Sequence, residues 1–122
     1  MRGTTSVIAA IAAHDPVELG VSSVTSYELF TGVEKCAEPH RERSKVEKLF
    51  NTLLQIEFDL QAAREAARIR ADLESRGEMI GPYDVLIAGQ AISLGRTLVS
   101  GNTKEFARVQ GLTVENWQAS TS

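Results

Sequence analysis

The stretch "IGPYDVLIAGQAISLGRTLVSGNTKEF", Ile80 to Phe106, decides the fold. Gly81-Pro82 opens a helix, with Pro82 at the first helical position, where a missing N–H is harmless. The run from Val85 to Leu94 is almost wholly apolar, and Gly95 stops it. "TLVS", Thr97 to Ser100, then reads as a short strand, and "TKEFARV", Thr103 to Val109, as a short helix. One carboxylate, Asp84, sits in the first turn of the apolar helix. No other Asp or Glu occurs between Met79 and Lys104.

Working outward, the same alternation recurs. "SVIAAIAAH" reads as a short helical remnant ending near Asp15-Pro16. "LGVSSV" is a short apolar strand, after which Thr25 starts a helix. "PHRERSKVEKLFNTLLQ" is an amphipathic helix through Val46, Leu49, Phe50 and Leu53. "QIEF" reads as a strand, Asp59 caps the long helix "LQAAREAARIRADLESRG", and Gly77 ends it. "LTVENW" is a last strand. Short strands between helices predict βαβ units: one α/β domain over residues 1–122, with a short, mostly parallel sheet flanked by helices. In such sheets ligand sites gather at the C-terminal strand ends. That places Ser23–Glu28 and Ser100–Asn102 at one edge, with Asp84 opening onto it.

Composition narrows the function. The 122 residues suffice for one core, and 43% hydrophobic with 24% charged residues is ordinary for a soluble domain. No apolar run reaches membrane-spanning length, and no signal peptide is visible. Cys36 is the single cysteine, which excludes an internal disulfide, suits a reducing compartment and reads as a buried thiol. A net charge of −3 argues against a binder that grips nucleic acid by bulk charge, though not against local contact with RNA.

Three polar groups stand out, each with a structural explanation. Thr25 and Glu28 have the spacing of a capping box, and so do Asn102 and Glu105. Asp84 lies where the helix dipole favours a carboxylate by about 0.3–1 kcal/mol. Together, however, Glu28, Asp84 and Asn102 would meet at one sheet edge. Carboxylates brought together repel and call for a cation. Mg²⁺ takes oxygen ligands and keeps several waters, so few protein groups suffice.

The order of these motifs resembles the PIN domain, and within it the VapC-type toxins. "ELGVSSVTSYELFTGVEKC" looks like the second strand and following helix, with Glu28 at the acidic position. The chain from "FDLQAAREAARIRADLESRG" through "GPYDVLIAGQA", "TLVSGNTKEF" and "GLTVENW" is similar almost continuously, with Asp84 and Asn102 at family positions. The resemblance implies a PIN-like three-layer fold and a ribonuclease that hydrolyses RNA phosphodiester bonds, often in tRNA, through metal-activated water. It implies Mg²⁺ or Mn²⁺ at Glu28, Asp84 and Asn102, a homodimer, a cognate VapB-type antitoxin and a cytoplasmic location. Ser100, Lys104 and Arg108 are the expected substrate-side residues.

The chain departs from that pattern at its start. Family members open with an apolar strand ending in aspartate, and residues 1–122 hold no counterpart of that strand, of most of the first helix or of that Asp. The expectation is an N-terminally truncated relative: a start placed too late, or a remnant. The missing strand should be central, so its neighbours should expose unpaired backbone, at about 1–3 kcal/mol per buried group. The chain alone is therefore expected to be unstable. A catalytically inactive relative that only dimerises or binds antitoxin is the alternative function. An unrelated phosphate-binding domain lacks a glycine-rich loop.

Other features read as structural. Arg41, Arg43, Lys45 and Lys48 alternate with Glu42 and Glu47, and Arg64, Arg68 and Arg70 with Glu65 and Asp72, as solvated faces do. His14 and His40 lack metal-ligand spacing. Phe106 and Trp117 read as packing residues.

Overall fold

The protein is described by a computed structural model at residues 10–12 and 19–116. Its strands are β1 (Ala10–Ala12), β2 (Leu19–Ser22), β3 (Leu54–Ile56), β4 (Thr97–Val99) and β5 (Val114–Glu115). Its helices are α1 (Ser23–Lys35), α2 (Pro39–Phe50), α3 (Leu60–Arg76), α4 (Pro82–Leu94) and α5 (Thr103–Phe106). The sheet order is β3-β2-β1-β4-β5. The β2–β3 and β4–β5 pairs are parallel, and β1 is antiparallel to both β2 and β4. Four strands therefore share one direction and the central strand opposes them.

That central strand corrects two expectations. The apolar N-terminal run is rich in alanine, the strongest helix former, and helix is the expectation there. Instead Ala10–Ala12 forms β1, while the flanking residues of that run lie outside the described ones. β1 runs antiparallel and carries no acid, so it is not the Asp-bearing strand expected to be missing. It occupies the central slot, however, and pairs the backbone of β2 and β4 on the side that was expected to be open. Ile11 pairs with Gly20 on one side and Leu98 on the other, and is 2% exposed. Alanine's small side chain suits the middle of a covered sheet, and tertiary pairing overrides local propensity.

The element ends follow from local chemistry. Asp59 Oδ1 accepts from the Ala62 N–H at 2.9 Å, starting α3. Gly77 and Gly95 end α3 and α4 with φ of 66° and 64°, a left-handed backbone that glycine adopts without strain. Pro82 begins α4 as expected. The amphipathic helix over residues 39–55 ends earlier, at Phe50, and Leu54–Ile56 leaves it as edge strand β3. Cys36 caps the end of α1 half-buried rather than buried. Its thiol donates to the Val33 carbonyl, which draws it to the helix end.

The main core joins β1, β4, α3, α4 and α5 through Ile11, Leu98, Ile69, Leu73, Ile87 and Phe106. The closest helix contact is α3 on α4. A Cβ added at Gly89 would lie 2.6 Å from the backbone nitrogen of Ala66. Buried Gln90 reaches from α4 to the end of β3, donating to the carbonyls of Ile56 and Glu57 at 2.9 and 2.8 Å. A smaller cluster of Leu29, Val33 and Val46 closes α1 against α2. Phe106 is buried, as expected, and His40 is exposed; His14 and Trp117 lie outside the described residues. Among the described residues no helix is long and apolar enough to cross a membrane.

Candidate active site

The C-terminal ends of β2 and β4 define one pole, and both ends carry serine. Ser22, buried, ends β2 and caps α1, with its Oγ accepting from the Val24 N–H at 3.0 Å. This moves the helix start from Thr25 to Ser23 and removes the expected Thr25–Glu28 capping box. Ser22 wins because it is still in extended backbone, with ψ of 143°, the conformation an N-cap needs. Glu28 then lies beyond the first turn, so helix capping no longer accounts for it.

Ser100 follows β4, is 3% exposed, and accepts through Oγ from the Asn102 N–H at 3.0 Å. That bond fixes the turn before α5. The second expected capping box does not form either, since the Asn102 side chain makes no cap bond to α5. Its Nδ2 donates instead to Glu105 Oε2 at 2.7 Å and to Asp84 Oδ2 at 3.4 Å. Glu105 Oε1 accepts from the Gly81 N–H, at the mouth of α4, at 3.2 Å. One amide and one backbone N–H thus tie together the starts of α4 and α5. With carboxylates on two sides, only the NH₂ end of Asn102 can face them.

Two of the three carboxylates at this pole are pushed toward protonation. Burial raises the Asp84 pKa above its ordinary value; Glu105's charge adds to the rise and the Asn102 hydrogen bond opposes it. Glu28 is exposed over much of its side chain, yet lost solvation at the carboxyl raises its pKa, and Asp84's charge raises it further. Glu105 moves the other way. The Asn102 hydrogen bond lowers its pKa most, with help from the Gly81 N–H and the Arg108 charge. Asn102 and Glu105 thus act directly on Asp84, and Asp84 acts on Glu28.

Glu105 was legible in sequence only as a helix-capping residue. Its link to Gly81, 24 positions away, is what makes it part of the site. The substrate-side residues differ in their surroundings. Lys104 is exposed without an ion pair among the described residues. Arg108 donates to the Met79 carbonyl at 2.9 Å, and its own carbonyl accepts from Arg76 at 2.7 Å. Tyr27 and Tyr83, each one residue before a site carboxylate, meet at the same pole. The Tyr83 hydroxyl donates to that of Tyr27 at 3.4 Å, a bond that raises the Tyr83 pKa.

The donor set suits a hard divalent cation. Glu28, Asp84 and Glu105 offer carboxylate oxygens, and the charge of Glu105 raises the Asp84 pKa while that of Asp84 raises the Glu28 pKa. Among the described residues no three His, Cys, Asp or Glu side chains are grouped closely enough to hold a metal by themselves. The fit is therefore to an ion that keeps much of its water. Several basic residues of α2 and α3 are held in ion pairs away from the pole. Arg43 pairs with Glu34 at 2.8 Å, Arg68 with Glu65 at 3.0 Å, and Arg76 with Asp72 at 2.7 Å and also with Glu78.

Comparison with known proteins identifies the family. The PIN domain pattern matches residues 3–112. The tRNA(fMet)-specific endonuclease VapC of Salmonella typhimurium is 41% identical over 97 residues, covering 80% of this chain and 74% of its own length. Ribonuclease VapC2 of Haemophilus influenzae is 39% identical over 97 residues, covering 80% and 74%. Among solved structures, DNA-bound VapBC from Salmonella typhimurium superposes with a TM-score of 0.77 at 42% identity, covering 79% of this chain and 73% of that one. VapBC2 from Rickettsia felis, bound to a DNA fragment from its promoter, superposes at 0.78 with 37% identity, covering 80% and 74%. A five-stranded sheet flanked by helices, with carboxylates at the C-terminal pole and matches of this extent, places the chain in the PIN domain family, in its VapC branch.

Proposed function

We propose that this chain is a ribonuclease toxin of a VapBC-type toxin–antitoxin module, hydrolysing RNA phosphodiester bonds, with tRNA as the substrate class. The carrying observation is that Asn102 bonds both Asp84 and Glu105 at one pole, where the Asp84 charge also reaches Glu28. Relatives named as VapC ribonucleases support the chemistry, and solved VapBC complexes support a VapB-like antitoxin as partner. A homodimer and a cytoplasmic location belong to the same reading.

Glu28 and Asp84 would hold Mg²⁺ or Mn²⁺, with Asn102 as an outer group. When bound, such an ion supplies an activated water and neutralises charge on the phosphoryl oxygens. Asn102 orients Asp84 by donating to one carboxylate oxygen, which leaves the other available. Glu105 holds the Asn102 amide in that direction, and the Gly81 N–H holds Glu105. Ser100 sets the Asn102 backbone. On the substrate side Lys104 is free to meet a phosphate, while Ser100 and Arg108 act through the groups they position.

The test is cleavage of an initiator tRNA transcript by the purified chain with Mg²⁺ or Mn²⁺. Expected are discrete products, lost in EDTA and lost in Asp84→Asn. A second reading, an inactive relative that only pairs with antitoxin or with itself, is favoured by one observation. The central strand brings Ala10, not an acid, to the site pole opposite Val21 and Val99. Absence of cleavage with either metal would select that reading.

A further inference from the structure

We infer that Tyr27 and Tyr83 form a stacking platform for one unpaired nucleobase beside the scissile phosphodiester; this rests on the ribonuclease reading above. Tyr27 is 55% exposed and Tyr83 39% exposed, although they lie on different helices. Their rings meet edge to face, with centroids 5.6 Å apart and planes at 67°. Neither ring belongs to either buried cluster. An edge-to-face pair uses the edge of one ring and one face of the other, so an outer aromatic face stays open. By contrast, Phe30 is directed to Phe50, which packs in the α1–α2 cluster.

Position ties the pair to the chemistry. Tyr27 immediately precedes Glu28, and Tyr83 immediately precedes Asp84. The Glu28 charge acts on Tyr83, so the ring pair lies beside the carboxylates. Charge gives the second argument. The pole is acidic, the chain carries a net −3, and Arg43, Arg68, Arg70 and Arg76 are each paired with a carboxylate. Binding that depends on many phosphate contacts has little to draw on here. Base–aromatic stacking supplies affinity without charge, and every base has a face to offer. A base inside a duplex is already stacked on both faces, so the ligand is single-stranded RNA, a loop or an end. The two hydroxyls, bonded to each other, hold the rings at a fixed angle.

The test uses a fluorescein-labelled, mixed-sequence 12-nucleotide RNA, with binding read by anisotropy in Mg²⁺. The full chain carries Asp84→Asn, which stops turnover and lowers the anionic repulsion. Added Tyr27→Ala or Tyr83→Ala should weaken binding between about 5-fold and 100-fold. Tyr27→Phe and Tyr83→Phe, which keep the rings, should stay within about 3-fold. A series of the same RNA with one abasic position at a time should show one site whose loss matches Tyr83→Ala. Combining the two should cost no more than either alone, as expected for two halves of one contact. Circular dichroism of the alanine variants must match the parent, and the abasic series on the parent keeps the test decisive if it does not. Alanine variants that bind like the parent, or abasic effects that add at every position, overturn the platform even if the wild type cleaves RNA. They would leave the exposed rings as a protein–protein contact. A wild type that neither binds nor cleaves RNA overturns both readings together.

Discussion

Asp84 sits at the third position of α4, where the helix dipole favours its charge, yet burial and Glu105 disfavour it more. Its pKa lies above the ordinary 3.8, and that of Glu28 above 4.5. Both carboxyls therefore bind protons more tightly folded than unfolded. Their presence as anions destabilises the metal-free fold at neutral pH, and the penalty is relieved as pH falls toward those ordinary values. Glu105 has the opposite sign: its stabilisation holds above 4.5 and is lost as pH falls through its lowered value. The metal-free chain should thus melt higher as pH is lowered from neutral toward those ordinary values. Asp84→Asn should raise Tm at neutral pH by on the order of 2–5 °C and flatten the pH dependence. The same change should lower cleavage at least about 100-fold, since even groups behind a metal ligand are worth 10–100-fold. A melting temperature that climbs with pH in EDTA would contradict this account. Asn102→Ala should lower Tm, because it removes the donor shared by two carboxylates, at about 1 kcal/mol or more. Asn102→Asp should lower it further by adding a charge beside Asp84 and Glu105.

At the scale of elements, the decisive joint is α3 on α4. It sets where the mouth of α4, and so Asp84, stands relative to the sheet. Gly89 lies against the Ala66 backbone, and an added methyl at 2.6 Å has nothing flexible to displace. Gly89→Ala should destabilise by about 1–3 kcal/mol despite alanine's better helix propensity, read as a lower urea midpoint. An unchanged midpoint would mean the helices separate freely. How much of this was legible varies by element. Gly77, Gly95, Pro82 and Asp59 announce helix ends through backbone chemistry that acts within a few residues, and those ends appear as read. The site was half legible. Glu28, Asp84 and Asn102 could be placed at one edge from strand order alone. The hydroxyl that caps α1 could not be chosen among Ser22, Ser23 and Thr25, because the choice depends on where β2 stops pairing. Glu105 looked like a local cap because its actual partner, the Gly81 N–H, is reachable only after α4 and α5 have docked.

At the scale of the molecule, everything depends on β1. Three residues separate the β3–β2 half from the β4–β5 half, and each is paired on both sides. The alanine-rich sequence gave no strand signal, since two of the three residues prefer helix and the run is too short to show a period of two. What selects the strand is the space between β2 and β4, which only the folded sheet creates. Once the slot is filled, the reason for expecting an unstable chain is gone. Urea unfolding should be a single cooperative transition, with fluorescence and far-UV circular dichroism coinciding. Ile11 is the test of that dependence, because it is buried against Leu98 and the α3–α4 core. Ile11→Val should cost about 0.5–1.5 kcal/mol and keep the transition sharp, whereas Ile11→Ala should cost about 2–5 kcal/mol. Against a typical total of about 5–15 kcal/mol, the latter is a large share of the whole. Ile11→Pro goes further, because it removes a ladder donor from a strand with no open edge. It should split the molecule at its middle, with β2 and β4 exposed and the chain aggregating. If Ile11→Pro unfolds with the same midpoint as the parent, Ala10–Ala12 does not hold the two halves together.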